Sequence, residues 1–103
     1  MVQRVVLVQK QKATVLKAFT KPWTLQVLLL LRGGSGTFSE LKWKLQVSSK
    51  TLSSRLKELT AAGLIERSIC ADMKLRVEYS LTPKGHELST IISALDSWET
   101  KWA

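Results

Sequence analysis

The sequence predicts a single α+β domain that is mostly helical, and three observations support this. Its 103 residues are 45% hydrophobic with only five glycines and two prolines, which suits one packed domain. Apolar residues recur at helical spacing before Gly63 and again after Pro83. Between these helices, residues 64–82 alternate apolar and polar side chains as paired strands do. Within the domain, 1–103, the predicted parts are an N-terminal helix at about 5–19, a core at 22–82 and a C-terminal helix at 83–102.

Two helices are predicted in the first third of the chain. The stretch at residues 5–19 mixes apolar and basic side chains and is interpreted as a helix, although its first valines also suit a strand. The second helix contains TLQVLLLL, with Thr20 as its cap and Pro22 in its first turn, and it ends at Gly33 and Gly34.

Two shorter helices joined by a tight turn follow. In FSELKWKLQ, Ser39 followed by a glutamate suits a helix start, and two leucines four residues apart share one face. A second helix at about 48–62 has a start signal at Ser48 or Ser49, a line of leucines and a terminating Gly63. Together they form a helix-turn-helix pattern.

A hairpin and a long helix complete the chain. The segments LIERSI and RVEYSLT alternate like half-exposed strands, with the polar stretch 71–74 between them. After Pro83, apolar residues at spacings of three and four form one helical stripe that ends in two tryptophans.

The charge indicates the class of partner. The net charge is +8, and residues 1–60 carry eleven basic and only two acidic side chains, so the cationic excess lies in the first half. This favours a polyanion such as nucleic acid. The apolar runs are too short for a signal peptide or a membrane span, so we expect a cytoplasmic protein without membrane contact.

Catalytic and metal chemistry find no support in the sequence. The chain has one histidine, His86, and one cysteine, Cys70, so it lacks a catalytic triad, a metal cluster and an internal disulfide. The GGSG stretch lacks the lysine of a phosphate-binding loop. We expect no enzyme, no cofactor and no metal, with Cys70 as a structural strand residue.

The order of elements and two specific segments carry a resemblance. LSSRLKELTAAGLIER and RVEYSLTPKG, at this spacing, resemble the winged helix-turn-helix transcription regulators, and most closely the HxlR-type family within the MarR-like group. The resemblance runs from about Trp23 to Trp98. It implies a dimeric regulator of transcription, with a repressor preferred, whose recognition helix enters the major groove of DNA. The wing, at about 64–82, is implied to touch the backbone or the minor groove.

The recognition helix supports this independently, because its side opposite the leucines is short, polar and basic. Arg55 lies nearer the apolar side, so it either covers the core or pairs with Glu58 or Glu66. At the wing, Arg76 reaches a minor groove or pairs with Glu66 or Glu78. The predicted DNA contacts are Ser48, Ser49, Lys50, Thr51, Ser54, Arg55 and Lys57 on the helix, with Lys74 and Arg76 on the wing.

Three features of the chain, in the wing, in the turn and at Trp43, depart from the family pattern. Lys74 and Leu75 stand where the family wing usually carries two prolines, and Gln46 and Lys42 stand where a turn glycine and a small residue are common. A turn that is strained or differently shaped is expected. Trp43 points away from the leucine face of its helix. We favour packing of Trp43 against another segment, and stacking on a base or deoxyribose is the alternative.

The last helix predicts a partner surface. Its apolar stripe is wider than one domain face requires, which favours a symmetric contact with a second copy. The homodimer is expected to use this helix, with the first helix adding to it. The predicted dimerisation residues are Leu88, Ile91, Ile92, Leu95, Trp98 and Trp102.

Two alternatives to a sequence-specific regulator stay open. One is an architectural protein that coats double-stranded DNA without reading its sequence. The other is a winged-helix module whose basic face binds an acidic protein or RNA. A small-molecule effector is compatible with the sequence but is neither identified nor placed by it.

Overall fold

The computed structural model describes residues 20–71 and 75–103, where it contains four helices and three strands. The helices are α1 (Thr24–Leu31), α2 (Phe38–Leu45), α3 (Ser49–Ala61) and α4 (Pro83–Trp102), and the strands are β1 (Gly36–Thr37), β2 (Ile65–Ala71) and β3 (Leu75–Leu81). This is the mostly helical α+β fold that the sequence predicts. The predicted helix at 5–19 and the predicted contact Lys74 lie outside the described residues.

The strands form one antiparallel sheet in the order β1-β3-β2. Strands β2 and β3 pair from Ile65 with Leu81 to Ala71 with Leu75, which is the predicted hairpin. Strand β1 adds a short pairing on the other side of β3, where Gly36 lies opposite Tyr79. The wing is therefore a two-stranded hairpin held at its base by a third strand.

The core lies among α1, α2, α3 and the base of the sheet, with α4 contributing mainly at Ile92. Its members are buried apolar side chains, and those on α1 and α3 recur at helical spacing, as the sequence pattern indicates. They are Val27, Leu28, Leu31, Leu41, Leu52, Leu56, Leu59, Ala62, Leu64, Ile65, Leu81 and Ile92.

Helix α1 starts later than the sequence predicts. Thr20 and Pro22 lie before the helix, which begins at Thr24, and the residue ahead of it is Trp23 with a left-handed φ of 75°. No side-chain hydrogen bond caps this end. The expected cap and first-turn proline were wrong because the left-handed turn at Trp23 separates both residues from the helix.

Helix α2 begins at Phe38 with a capping box whose cap, Thr37, lies two residues before Ser39. The Thr37 hydroxyl accepts from the Glu40 N–H at 3.2 Å, and the Thr37 N–H donates to the Glu40 carboxylate at 2.8 Å. These bonds satisfy two backbone groups that a helix start would otherwise leave unpaired. The donated N–H also lowers the pKa of Glu40, because it stabilises the charged carboxylate.

Glycine and threonine set the boundary between α3 and the wing. The N–H groups of Gly63 and Leu64 donate back to the carbonyls of Thr60 and Leu59, both at 3.0 Å, which closes the end of α3. Gly63 takes a φ of 76°, so the predicted glycine stop is confirmed. The Thr82 side chain then caps α4 by accepting from the Gly85 N–H at 3.1 Å.

Candidate nucleic-acid interface

Helix α3 is anchored on one side and open on the other. Its leucines at 52, 56 and 59 are 0–2% exposed in the core. At its start, the Ser48 hydroxyl accepts from the Thr51 N–H at 3.1 Å and donates to the Thr51 hydroxyl at 3.0 Å. The predicted start at Ser48 is confirmed, and the cap fixes where the N-terminus of α3 points.

The polar side of α3 presents most of the residues that the sequence singles out. Ser48, Ser49, Lys50 and Lys57 are exposed, while Thr51 and Ser54 are half-buried. Within the described part of the chain, no hydrogen bond or ion pair holds the side chains of Lys50, Ser54 and Lys57. These side chains are thus available to a ligand that approaches this side.

Arg55 occupies a different position. Its Nε lies 3.0 Å from a carboxylate oxygen of Glu58, and its Nη1 donates to the Pro22 carbonyl at 3.4 Å. Only 11% of its side chain is exposed. Arg55 therefore joins α3 to the segment before α1, and its partner is Glu58 and not Glu66.

On the wing, the strand register decides which side chains share a face. Arg76 lies opposite Cys70 and Glu78 lies opposite Ser68. The Arg76 Nε is 3.1 Å from a Glu78 carboxylate oxygen, so of the two predicted partners the structure selects Glu78. The Arg76 side chain remains 57% exposed despite this contact.

A groove separates α3 from the wing, and it contains a basic residue that the sequence analysis missed. Arg67, on β2, lies opposite Tyr79 of β3 and is exposed. The groove has a volume of about 380 Å³ and brings Arg67 together with Lys57 of α3. The sequence alternation predicts a half-exposed strand, but only the pairing of β2 with β3 shows which side of the sheet Arg67 joins.

A second groove follows the outer side of α2. It is open, about 530 Å³ in volume, and lined by Ser39, Lys42, Trp43, Gln46 and Val47. Trp43 is 74% exposed, so the packing favoured for it from the sequence is wrong. Gln46 takes a left-handed conformation with a φ of 55°, which favours glycine, so of the two expectations the structure selects the strained turn. Its side-chain amide donates to the Trp43 carbonyl at 2.7 Å.

Helix α4 divides the predicted dimerisation residues into two groups. Ile91, Leu95, Trp98 and Trp102 are 58–71% exposed and form one apolar stripe. Ile92 is 6% exposed and belongs to the core of its own chain, with Leu88 packed half-buried beside it. Ile92 was therefore wrongly placed on the contact surface, because a stripe at helical spacing does not show which of two adjacent isoleucines faces inward.

Residues 20–71 and 75–103 contain few groups that could bind a metal ion or react chemically. No three His, Cys, Asp or Glu side chains group there in a way that could hold a metal ion. Cys70 is a half-buried free thiol, and His86 is exposed in the first turn of α4. None of the described helices is both long and apolar enough to cross a membrane.

A capped helix with a basic outer side, preceded by a short helix and followed by a β-hairpin, defines a winged helix-turn-helix DNA-binding fold. Comparison with known proteins agrees. The family model described as HxlR-like helix-turn-helix matches residues 18–103. YvaP of Bacillus subtilis (strain 168), named as an HTH-type transcriptional regulator, is 38% identical over 84 residues, which cover 81% of this chain and 78% of YvaP.

Solved structures share the fold. The reduced form of the transcriptional regulator YodB from B. subtilis matches with a TM-score of 0.77 and 27% identity, covering 85% of this chain and 87% of that one. A regulator assigned to the MarR family from Enterococcus faecalis V583 matches with a TM-score of 0.79 and 29% identity, covering 91% and 86%.

The chain belongs to the HxlR-like helix-turn-helix family. It is a transcriptional regulator with a helix-turn-helix DNA-binding domain. Its family and relatives are transcriptional regulators and not enzymes, which confirms the expectation that this chain is not an enzyme.

Proposed function

We propose that this regulator binds a specific double-stranded DNA site as a homodimer and acts as a repressor. The observation that carries the proposal is the outer side of α3, where Lys50, Ser54 and Lys57 project from a helix whose other side is fixed in the core. Lysine binds guanine acceptors or phosphates, and a serine hydroxyl donates or accepts at base edges. These residues provide sequence reading in the major groove.

The start of α3 supplies the positioning contacts. Ser48, Ser49 and Thr51 stand at the helix N-terminus, where backbone N–H groups and the helix dipole favour a phosphate. Because Ser48 and Thr51 already bond each other, Ser49 and Lys50 are the stronger candidates for direct contacts. Arg55 is assigned to the ion pair with Glu58 and not to DNA.

The wing adds contacts on a neighbouring groove or backbone. Arg76 keeps more than half of its side chain exposed, and Arg67 faces the groove beside Lys57. Cationic side chains on both sides of this groove suit one negatively charged sugar-phosphate strand that runs between α3 and the wing. The predicted contact Lys74 belongs to the same proposal, although it lies outside the described residues.

The dimer part of the proposal rests on α4. Four large apolar side chains lie exposed along one stripe, and a second copy of the stripe is a self-complementary cover for it. A twofold dimer would place two copies of α3 about one helical turn of DNA apart, roughly 34 Å, and so read an inverted repeat. Light scattering should give about twice the 11.6 kDa of one chain, and a mass near 11.6 kDa would contradict the dimer.

Repression needs no further domain, because a dimer on a promoter blocks polymerase by occupancy alone. Binding to chromosomal DNA would place the protein in the cytoplasm. An effector is not assigned.

The test compares Lys50→Ala and Ser54→Ala with the unchanged protein on two duplexes. One duplex carries a site selected from a random pool, and the other carries the same bases in scrambled order. Weaker binding to the selected site, with binding to the scrambled duplex nearly unchanged, supports sequence reading by α3. Equal weakening on both duplexes would instead support an architectural protein, and no effect on either would contradict DNA contact by this side of α3.

A further inference from the structure

The outer side of α2 carries an exposed aromatic residue that is not packed in the core. Leu41 faces the core at 2% exposure, whereas Trp43 is 74% exposed on the opposite side of the same helix. Tryptophan is a large, mostly apolar side chain that is usually highly buried. It lines an open groove with Lys42 and Gln46, so a ligand can reach one side of the indole.

The charged side chains next to Trp43 in the sequence are basic. Lys42 and Lys44 flank it in sequence, and both are exposed. The acidic residue of this helix, Glu40, is held in the capping box by the backbone N–H of Thr37. An aromatic surface bordered by lysines suits a partner that combines negative charge with apolar surface, as the deoxyribose and phosphate groups of DNA do.

The groove is continuous with the recognition helix. Gln46 and Val47 line it, and the next residue is Ser48, the cap of α3. Three linking residues span at most about 10 Å, and Trp43 lies only about 3 Å along the axis from the end of α2. The major groove is about 12 Å wide, so its sugar-phosphate wall stands about 6 Å from a helix at its centre. The end of α2 therefore stays within reach of that wall when α3 lies in the groove.

The turn fixes this arrangement. Gln46 occupies a left-handed conformation, its N–H donates to the Lys42 carbonyl at 2.9 Å, and its side-chain amide donates to the Trp43 carbonyl at 2.7 Å. Both bonds hold the last turn of α2 in place. The indole is thus carried on a backbone that is set by the same turn that orients α3.

We infer that Trp43 packs against a deoxyribose of the DNA backbone at the edge of the site read by α3, while Lys42 contacts the adjacent phosphate. This inference rests on the proposed function, because it needs α3 in the major groove. It assigns to α2 a contact that raises affinity for duplex DNA and does not by itself read sequence.

The experiment uses the full chain and a fluorescently labelled duplex that carries the site selected by the unchanged protein. Anisotropy titrations compare Trp43→Ala with Trp43→Phe, which keeps an aromatic face. Lys42→Ala is compared with Lys44→Ala, a matched control because both lysines are exposed on α2 but only Lys42 lines the groove. Thermal melting and light scattering check that each variant keeps its fold and its assembly.

The expected result is that Trp43→Ala weakens binding about tenfold, because the sugar would no longer cover part of a large apolar side chain, while Trp43→Phe loses much less. The loss should be similar on selected and scrambled duplexes. Lys42→Ala should lower the salt dependence of binding by about one released ion, and Lys44→Ala should lower it less. In the unchanged protein, DNA should quench tryptophan fluorescence, and the quenching should be reduced in Trp43→Phe.

Binding of Trp43→Ala within about twofold of the unchanged protein would overturn the inference, since covering much of an indole with a sugar should contribute more than that. A loss that comes with a lower melting temperature or a changed mass would also overturn it, by giving Trp43 a structural role. If the unchanged protein binds no duplex, the proposed function fails first. Failure of the proposed function is therefore distinguishable from failure of the inferred α2 contact.

Discussion

A methyl group on Gly85 would overlap the backbone carbonyl of Leu64, because the first turn of α4 lies directly against the chain that leaves α3. The same carbonyl accepts the Thr82 N–H at 3.1 Å. The Lys84 ammonium also donates to the Ala62 carbonyl at 2.8 Å, so α4 is tied to the end of α3 at several atoms. This packing explains why the segment TPKG ends in glycine.

Replacing Gly85 by alanine should therefore destabilise the fold. Alanine would gain about 1 kcal/mol in helix propensity, but the overlap with backbone atoms costs more, and we expect a net loss of about 3 kcal/mol. Urea unfolding measures it. The control is Gly33→Ala, where an added Cβ would meet its nearest atom, the Leu30 carbonyl oxygen, at an ordinary 3.7 Å. Equal stability of the two variants would contradict the close approach.

Replacing Gln46 by glycine should raise stability. Gln46 has a φ of 55°, a conformation that costs a residue with a Cβ about 1 kcal/mol and costs glycine nothing. Loss of the side-chain bond to Trp43 offsets part of this gain, so the expected increase is about 0.5 kcal/mol. Gln46→Ala keeps the strain and loses the bond, so it should be less stable than the unchanged protein. The opposite order in urea unfolding would show that the side chain outweighs the strain.

Glu40 should titrate below the ordinary glutamate range. The Thr37 N–H donates to its carboxylate, which lowers the pKa, and the Thr37 side chain and nearby cations act in the same direction. Because the folded pKa is lower than the unfolded one, the capping contribution is complete above the unfolded pKa and is lost as pH falls through the folded pKa. Carboxyl NMR titration measures this, and a pKa at or above the ordinary value would rule out the capping box in solution.

The adjacent isoleucines of α4 should respond in opposite ways. Ile91 is 61% exposed, so Ile91→Asp should keep the monomer folded and weaken the proposed dimer, as seen by light scattering. Ile92 is 6% exposed, so Ile92→Ala should cost about 3 kcal/mol of unfolding free energy. A dimer that survives Ile91→Asp unchanged would place the interface elsewhere.

Substitutions at Arg55 and Lys50 should have different effects, the first on stability and the second on DNA binding. Arg55→Met removes the contacts to Glu58 and Pro22 and should lower stability by about 1 kcal/mol, with DNA affinity within about threefold. Lys50→Ala should leave stability unchanged, because Lys50 is exposed, and weaken binding to the selected site. A large affinity loss in Arg55→Met without unfolding would return Arg55 to the DNA interface.

The sequence was sufficient for elements whose ends are chemically marked. Ser48, Gly63 and the pair Thr82 and Pro83 act locally, since caps, left-handed glycines and first-turn prolines fix helix ends through nearby backbone bonds. The hairpin also followed from alternation. The winged helix-turn-helix fold and the position of α3 were therefore predictable.

The sequence was insufficient where the outcome depends on contacts between distant segments. The start of α1 depends on the left-handed turn at Trp23, and the second contact of Arg55 depends on the approach of Pro22. The exposure of Trp43 and the choice between two isoleucines depend on how the helices pack. Arg67 was missed because its place beside Lys57 follows from the strand register.

Selection of bound duplexes from a random DNA pool tests directly whether α3 reads a specific sequence. The full chain is used to select duplexes from a random pool at about 150 mM salt, where nonspecific binding through phosphates is weakened, and the bound fraction is sequenced. We predict enrichment of an inverted repeat whose half-sites are ten to eleven base pairs apart, about one helical turn. Binding that persists without an enriched motif would contradict sequence reading and would support an architectural protein instead.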